Sequence, residues 1–425
     1  MDLARATLVL IRVLRTLINS IAKNLHKLQI CLRFYSFCKK NSIFNLKVEI
    51  WANGFIATFF FFLCLYVQTA VKAMGDLDMK KVIPVFFATD DNYAPFVAVT
   101  LESILDNASK EFQYKFYILT TSISDEYKTA IEKYNSENVS VEFVFLSETI
   151  ESVKEKFAIR DYYSMATYYR FFIADLFPQY NKALYLDCDI AVLGDISELF
   201  NTNVRDFYLG AIPDESLFKY LPFSDYVENA LGIQPAEYFN AGIMVMNLAA
   251  FRKYDILSQF IELMKKYKFR VAQDQDYLNV ICKNKVKFIE TGWNKGAVLT
   301  PGFDESTLKL VHYNLNRKPW QKTGVKYEEY FWKYAEKTEF AGMIHEKLSG
   351  YSEADRAKDD ECLECLINLC TQEAASETNY YNTYVKRYDI WKNLLNDLKS
   401  FLKSMSTSVM NGGHEMLKMT RKLFR

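Results

Sequence analysis

The stretch that decides the fold is Lys-Ala-Leu-Tyr-Leu-Asp-Cys-Asp at 182–189, followed by Ile-Ala-Val-Leu-Gly-Asp-Ile at 190–196. The first of these begins with a short apolar run typical of a buried strand. The run ends in two carboxylates, Asp187 and Asp189, with Cys188 between them. Because side chains alternate along an extended chain, both aspartates lie on one side and Cys188 on the other. The pair is therefore able to share one hard cation. The alternative is a solvated turn after a buried strand.

Length and composition indicate a folded protein that is not a general nucleic-acid binder. The chain has 425 residues, of which 50% are hydrophobic and 16% aromatic, enough for a sizeable core. Its 52 Lys and Arg balance 52 Asp and Glu. The eight cysteines lack the spacing of a small disulfide scaffold, which favours a reducing compartment. Cys362, Cys365 and Cys370 have helical spacing and no companion His pair, which predicts core-facing thiols instead of zinc ligands.

The first 78 residues differ in pattern from the rest. Residues 8–21 and their basic neighbours suggest an amphipathic helix for a membrane surface. Residues 55–71 form an uncharged apolar block at the short end of what spans a bilayer. The alternative is an upstream extension, with Met74 or Met79 as the true start of a cytosolic enzyme. We expect a cytoplasmic protein associated peripherally with the inner face of the membrane, and a single-pass membrane protein is the alternative.

From residue 79 onward, strand and helix patterns alternate. The first three strands are expected at 82–87, 115–119 and 139–146, with helices between them, which is typical of a parallel sheet. Further strands are expected at 183–186, 207–212, 238–248, 286–289 and 308–313, and helices at 166–176, 255–267 and 273–282. We therefore expect an α/β catalytic domain at 79–332 and a helical region at 333–425. The basic amphipathic tail of that region fits a membrane interface or, alternatively, a helical bundle.

Polar groups follow several strands, where ligands of open α/β sheets bind. The turn at 88–93, Ala-Thr-Asp-Asp-Asn-Tyr, suits a ribose and a base, or alternatively caps the next helix. At 238–242, Tyr-Phe-Asn-Ala-Gly, Asn240 and Gly242 interrupt a strand and allow a ligand close to the backbone. At 273–276, Gln-Asp-Gln-Asp, two amides and two carboxylates open a helix, where a simple cap needs only one.

His312 ends a strand pattern, and Lys318 follows six residues later. A lone histidine is often a satisfied core residue, but the position at a strand end makes this one a candidate ligand. A lysine at that distance is able to reach phosphate. Two carboxylates and one imidazole suit Mn²⁺, with Mg²⁺ as the alternative. A zinc hydrolase would use more imidazole or thiolate.

Taken together, these groups resemble glycosyltransferase family 8, and most closely its bacterial lipopolysaccharide α-galactosyl- and α-glucosyltransferases. The resemblance covers residues 80–332. It rests on five motifs in register: Phe-Ala-Thr-Asp-Asp-Asn-Tyr, Lys-Ala-Leu-Tyr-Leu-Asp-Cys-Asp, Tyr-Phe-Asn-Ala-Gly, Gln-Asp-Gln-Asp, and His-Tyr followed by Lys-Pro-Trp. It implies a GT-A fold, which is a Rossmann-like nucleotide-diphospho-sugar transferase fold, with a UDP-sugar donor, Mn²⁺ and retention of anomeric configuration.

The resemblance also implies roles for individual residues. The implied metal ligands are Asp187, Asp189 and His312. The implied nucleotide-binding residues are Ala88, Asp90, Asn92 and Tyr93, with Lys318 reaching the diphosphate. The implied donor-sugar and reaction-centre residues are Arg170, Asp214, Asn240, Asp274 and Gln275. One departure is Leu315, where the family often has a glycine whose backbone approaches the diphosphate.

The expected function is Mn²⁺-dependent transfer of galactose or glucose from a UDP-sugar to a glycan or glycolipid acceptor of lipopolysaccharide type. Front-face attack and a covalent sugar intermediate both remain open, although an amide at 275 favours the former because amides are poor nucleophiles. A nucleotide-sugar hydrolase or nucleotidyltransferase is one rival. An inactive, membrane-tethered binding protein on a transferase scaffold is another.

Overall fold

The computed structural model describes residues 80–148, 165–215 and 217–388, with positions 392, 394–396 and 398–400. The basic helix expected at 8–21, the apolar block at 55–71 and the last part of the tail lie outside these residues. Among the described residues, no helix is both long enough and apolar enough to cross a membrane.

A seven-stranded sheet forms the centre of the described part. Its strands are β1 (Lys81–Ala88), β2 (Phe112–Thr120), β3 (Val139–Phe145), β4 (Ala183–Leu186), β6 (Leu209–Pro213), β7 (Phe239–Met246) and β8 (Val286–Phe288). They lie in the order β3-β2-β1-β4-β7-β6-β8. The first three strands and β4 are parallel neighbours, as their patterns predict. The parallel arrangement does not extend to β7, which is antiparallel to β4 and β6. The reason is that segment 214–238 joins β6 and β7 at the same end of the sheet.

A second, three-stranded sheet contains two short strands that sequence patterns did not distinguish and a third that lies within the strand expected at 308–313. The first two are β5 (Ile190–Val192) and β9 (Lys295–Gly296), and the third is β10 (Leu310–His312). Strand β10 pairs antiparallel with β5 and parallel with β9. The antiparallel register places His312 opposite Ile190, directly after the second aspartate of the motif. This sheet therefore connects two distant parts of the chain.

Helices cover both faces of the large sheet and make up most of the described C-terminal part. They are α1 (Ala94–Asn107), α2 (Asp125–Glu132), α3 (Ile173–Leu176), α4 (Ile196–Phe200), α5 (Leu221–Tyr226), α6 (Leu248–Lys253), α7 (Ile256–Lys266), α8 (Asp274–Ile281), α9 (Glu328–Ala335), α10 (Ala341–Ser349) and α11 (Glu353–Ala375). A 3₁₀ turn spans Met165–Phe171, and π-helical turns span Val227–Leu231 and Tyr381–Val385. Short 3₁₀ turns lie at Leu217–Lys219, Pro235–Glu237, Thr291–Asn294 and Glu305–Thr307.

The core lies on both faces of the sheet because strand side chains alternate. In β1, Val85 and Phe87 belong to the cluster packed under α1, whereas Phe86 belongs to the cluster under α7. A third cluster joins α5 and the following π turn to α11 through the buried Cys370. The expectation of core-facing thiols is correct for Cys370 but wrong for Cys362 and Cys365, which are exposed. The third cluster includes residues of α11 only from Leu366 onward, so the earlier turns of the helix extend beyond it.

Candidate metal centre and its surroundings

Asp187, Asp189 and His312 lie together at the carboxyl end of β4. Each offers one ligand atom, and these atoms all lie within 4.8 Å of one another. His312 Nε2 is 3.2 Å from Asp189 Oδ1 and 3.7 Å from Asp187 Oδ2. The antiparallel pairing of β5 and β10 produces this contact, because β5 begins one residue after Asp189. Two carboxylates and an imidazole thus converge as a donor set that fits a hard divalent cation.

Asp187, Asp189 and His312 are together called the metal corner below. Gly242 in β7 leaves space for their side chains. Its carbonyl accepts a hydrogen bond from the Asp187 amide at 2.8 Å, so the two backbones are in direct contact. A Cβ at position 242 would overlap the Asp187 carboxylate and lie 2.5 Å from His312 Cε1. The position therefore requires glycine because ligand side chains occupy the space beside it.

The imidazole of His312 is oriented by Asn294, a residue that sequence reasoning missed. His312 Nδ1 lies 2.9 Å from Asn294 Oδ1, and Asn294 Nδ2 donates to Asn240 Oδ1 at 2.9 Å. Since Asn294 Oδ1 can only accept, Nδ1 donates to it, and Nε2 is the nitrogen that faces the aspartates. Asn294 ends a 3₁₀ turn before β9, and its neighbours in sequence carry no motif that indicates this contact.

Lys318 supplies positive charge to the same corner. Its buried ammonium contacts the carboxylate of Asp189. Burial opposes ionisation of Asp189, yet Lys318 and His312 hold the pKa of that carboxyl below its ordinary value. The Lys318 ammonium also lies 5.9 Å from the centre of the Tyr93 ring and 5.4 Å from that of Trp320. Lys318 thus connects the metal corner with the turn expected to hold the nucleotide.

That turn is held in shape by Asp90, which bonds to backbone amides just before α1. Asp90 Oδ1 accepts from the backbone amides of Asn92 at 3.0 Å and Tyr93 at 3.2 Å. The carbonyl of Ala88 accepts from the Cys188 thiol at 3.3 Å, which places the turn directly beside the aspartate motif. The Tyr93 ring is 39% exposed, so one face remains accessible to a ligand. The role of these residues in nucleotide binding remains a prediction.

Asp214, Asn240 and Gln275 form one buried hydrogen-bonded network. Asp214 Oδ2 accepts from Asn240 Nδ2 and from Gln275 Nε2, both at 3.0 Å. Gln275 Oε1 accepts from Asn240 Nδ2 at 3.2 Å and from the Ala241 amide at 3.0 Å. Both ends of the Gln275 amide are engaged, so its orientation is fixed.

Arg170 joins this network to the metal corner. Its Nε lies 3.2 Å from Asp274 Oδ2, and its Nη2 lies 3.3 Å from Asp187 Oδ1. Nη1 donates to the Ala241 carbonyl at 2.5 Å, and the guanidinium stacks 4.2 Å from the centre of the Tyr185 ring. Burial raises the pKa of Asp274 to about 6, against the opposing effect of Arg170. All five residues assigned to the donor sugar and reaction centre therefore belong to one connected set.

Asp276 is a second residue that sequence reasoning did not assign to the site. It is fully buried and accepts hydrogen bonds from Tyr238 Oη at 2.7 Å, Tyr226 Oη at 2.8 Å and the Ala272 amide at 2.8 Å. Burial raises its pKa to about 6, although these hydrogen bonds favour the charged form. Asp276 therefore ties the start of α8, which carries Gln275, to α5 and β7.

Exchange of Asp276 for asparagine is expected to alter the pH dependence of stability. The folded protein holds this proton up to about pH 6, whereas the unfolded chain releases it near 3.8. The folded state thus binds more protons in this range, and the contribution of Asp276 to the unfolding free energy falls by about 3 kcal/mol as the pH rises. Asparagine does not titrate, so the Tm of Asp276→Asn minus that of the wild type should increase between pH 4 and pH 7. Calorimetry across this range checks the prediction, which a constant difference would contradict.

The folded arrangement combines a polar turn after β1 with an acidic, metal-competent corner after β4 on a mixed sheet, and this defines a GT-A glycosyltransferase fold. Residues 84–324, more than half of the chain, match the description Glycosyl transferase family 8. The chain belongs to that family, which confirms both the predicted family and the predicted fold.

Known relatives agree with this assignment. A Haemophilus influenzae protein that carries a glycosyltransferase name is 35% identical over 212 residues, which cover 49% of this chain and 62% of the relative. The chain therefore spans less than two thirds of that relative. The lipopolysaccharide 1,3-galactosyltransferase of Salmonella typhimurium is 28% identical over 251 residues, covering 56% of this chain and 73% of that protein. The solved galactosyltransferase LgtC, in complex with donor and acceptor sugar analogues, superposes with a TM-score of 0.50 at 25% identity over 61% of this chain and 99% of LgtC.

Proposed function

We propose that the protein is a metal-dependent, retaining hexosyltransferase that moves galactose or glucose from a UDP-sugar to a glycan or lipopolysaccharide-type acceptor. The observation that carries the proposal is the convergence of Asp187, Asp189 and His312 beside the buried network of Asp214 and Gln275. The names of the Salmonella relative and of LgtC support a galactosyl donor and a saccharide acceptor.

The corner fits Mn²⁺, and also Mg²⁺, because it offers hard oxygen ligands with one imidazole and because Gly242 leaves room beside them. Asp187, Asp189 and His312 would hold the cation, which would neutralise charge on the diphosphate leaving group. Because Nδ1 of His312 is engaged with Asn294, Nε2 is the nitrogen that would bind the cation. Lys318 adds a second positive charge at the point where the leaving group develops negative charge.

The contacts of the reaction-centre residues hold their side chains in fixed positions. Arg170 forms ion pairs with Asp274, which is assigned to the donor sugar, and with Asp187, which is assigned to the metal. It therefore connects these two parts of the site. Gln275 is fixed by bonds at both ends of its amide, and an amide is a poor nucleophile. Front-face attack by the acceptor, with Gln275 orienting the sugar, is therefore the mechanism we favour.

We further propose that the protein works in the cytoplasm, where UDP-sugars are available, and touches the inner membrane surface with its basic tail. Leu394, Leu395 and Leu398 are all exposed, and Lys392 and Lys399 lie among them. Apolar and cationic side chains mixed in this way suit an anionic lipid interface. Sedimentation with phosphatidylglycerol vesicles tests this point: binding should weaken when the three leucines are replaced by serine, and unchanged binding would contradict it.

The function is tested with the full chain, UDP-galactose or UDP-glucose, Mn²⁺ or EDTA, and a lipooligosaccharide acceptor. We expect metal-dependent formation of an α-linked product, with the anomeric configuration read by NMR. Release of UDP with no glycosylated product would instead identify a nucleotide-sugar hydrolase. If the protein does not bind UDP in the presence of Mn²⁺, it is an inactive scaffold.

A further inference from the structure

The loop that follows the metal histidine is attached to the segment between β6 and β7. Leu315 has a backbone φ of 55°, the left-handed conformation that is unfavourable for a non-glycine residue. Its side chain packs against the cluster that contains Leu217 and Phe223, so packing offsets this cost. A glycine would permit the same backbone but would lack this contact. Leucine at position 315 therefore anchors the loop to segment 214–238.

Arg317 makes a second connection between the same two parts. Its Nη2 donates to Tyr220 Oη at 3.3 Å. Its Nη1 is buried and has no hydrogen-bond partner within the described part of the chain, and the same is true of Asn314 Oδ1. An unpaired buried donor is unfavourable, and more so when it is charged. The loop that leads to Lys318 thus carries one guanidinium nitrogen and one amide oxygen whose hydrogen bonding is incomplete.

We propose that Arg317 binds the diphosphate of the donor through Nη1 and, because Nη2 holds Tyr220, couples donor binding to the position of segment 214–238. This inference rests on the proposed function. A guanidinium recognises phosphate oxygens through its forked N–H groups, and here one arm of the fork is already occupied by the protein. Asn314 Oδ1 accepts a hydrogen bond from a hydroxyl group of the same donor molecule. When the donor bonds to both Arg317 Nη1 and Asn314 Oδ1, the hydrogen bonding of the loop is complete. Segment 214–238, which an acceptor would contact, is then held in place.

The test compares UDP with uridine in calorimetric titrations of the full chain with Mn²⁺. Arg317→Gln should weaken UDP binding about 10-fold or more, since a charge-assisted hydrogen bond is lost, while uridine binding stays unchanged. Arg205→Gln, which changes an exposed arginine, is the matched control and should leave both affinities at the wild-type level. Equal UDP affinity in folded Arg317→Gln and wild type overturns the inference alone. Absence of UDP binding to the wild type overturns the proposed function as well.

Two further variants complete the experiment. Arg317→Lys keeps a charge but loses the planar fork, and it should fall between wild type and Arg317→Gln for UDP. If Arg317→Gln does not fold, Arg317→Lys decides the question, and unchanged UDP affinity in that variant overturns the inference. Tyr220→Phe should abolish any enhancement of acceptor binding by UDP while UDP affinity changes less than in Arg317→Gln. If UDP still enhances acceptor binding to the same degree in Tyr220→Phe, the coupling is refuted.

Discussion

Asp189→Ala is expected to lower metal-dependent glycosyl transfer by at least about 100-fold, because loss of even an outer partner of a metal ligand typically costs 10- to 100-fold. Asp189 contributes one of the three converging ligand atoms and also holds Lys318 in the site. Its loss removes the carboxylate that both His312 and Lys318 contact. Initial rates over a range of Mn²⁺ concentrations, with calorimetric measurement of Mn²⁺ binding, provide the measurement.

Asp206→Ala is the control for this variant, since Asp206 is an exposed aspartate on the segment that follows α4. It should bind Mn²⁺ and transfer sugar as the wild type does. Thermal unfolding of Asp189→Ala shows whether the fold survives the loss of a partner for the buried lysine. Undiminished metal-dependent activity in that variant would remove Asp189 from the site and with it the proposed metal centre.

Gly242→Ala is expected to reduce Mn²⁺ affinity and transfer by about 100-fold as well, although it removes no ligand. The added methyl group would overlap the carboxylate of Asp187 and the imidazole of His312, so at least one of them has to move. Displacement of a ligand by about 1 Å is enough to have a large effect on catalysis. The same measurements apply, with Mn²⁺ binding as the readout that is independent of turnover.

Gly342→Ala provides the matched control for this exchange. Gly342 lies in α10, and an added Cβ there meets nothing within 4 Å. Alanine in a helix is more stable than glycine by about 0.5–1 kcal/mol, so this variant should be slightly stabilised and fully active. Wild-type Mn²⁺ affinity in Gly242→Ala would show that the ligands tolerate the methyl group and that the centre is looser than its geometry indicates.

The sequence predicted the features of the fold and the site that depend on residues close together in the chain. The alternation of Asp187, Cys188 and Asp189 correctly indicates opposite directions, since the thiol contacts the Ala88 carbonyl while the carboxylates meet His312. Apolar runs located the central strands, and the strand ends located the polar clusters. The motifs were sufficient to identify the family.

What the sequence did not reveal depends on pairings between distant residues. Strands β5 and β9 have only three and two residues, too few for a periodic pattern, yet they bring His312 to the aspartates. Asn294 acts through hydrogen bonds to residues far away in the chain, and a single asparagine has no local signature for such a role. Asp276 belongs to a motif that the sequence does single out, but its partners Tyr226 and Tyr238 are not evident from that motif. Leu315 stands where the family often has glycine, and only the structure shows that the leucine adopts a left-handed backbone and packs against the third cluster.

The packing of α11 has a practical consequence for engineering. Cys370 lies in the same cluster as Phe223, and Asn379 donates to the Asn229 carbonyl at 3.0 Å, so residues beyond the family match support the segment between β6 and β7. The segment between β6 and β7 therefore cannot be exchanged between family members by itself. A chimera that transplants it into another family member also has to carry the helices that pack against it, or its apolar underside will be left exposed to water.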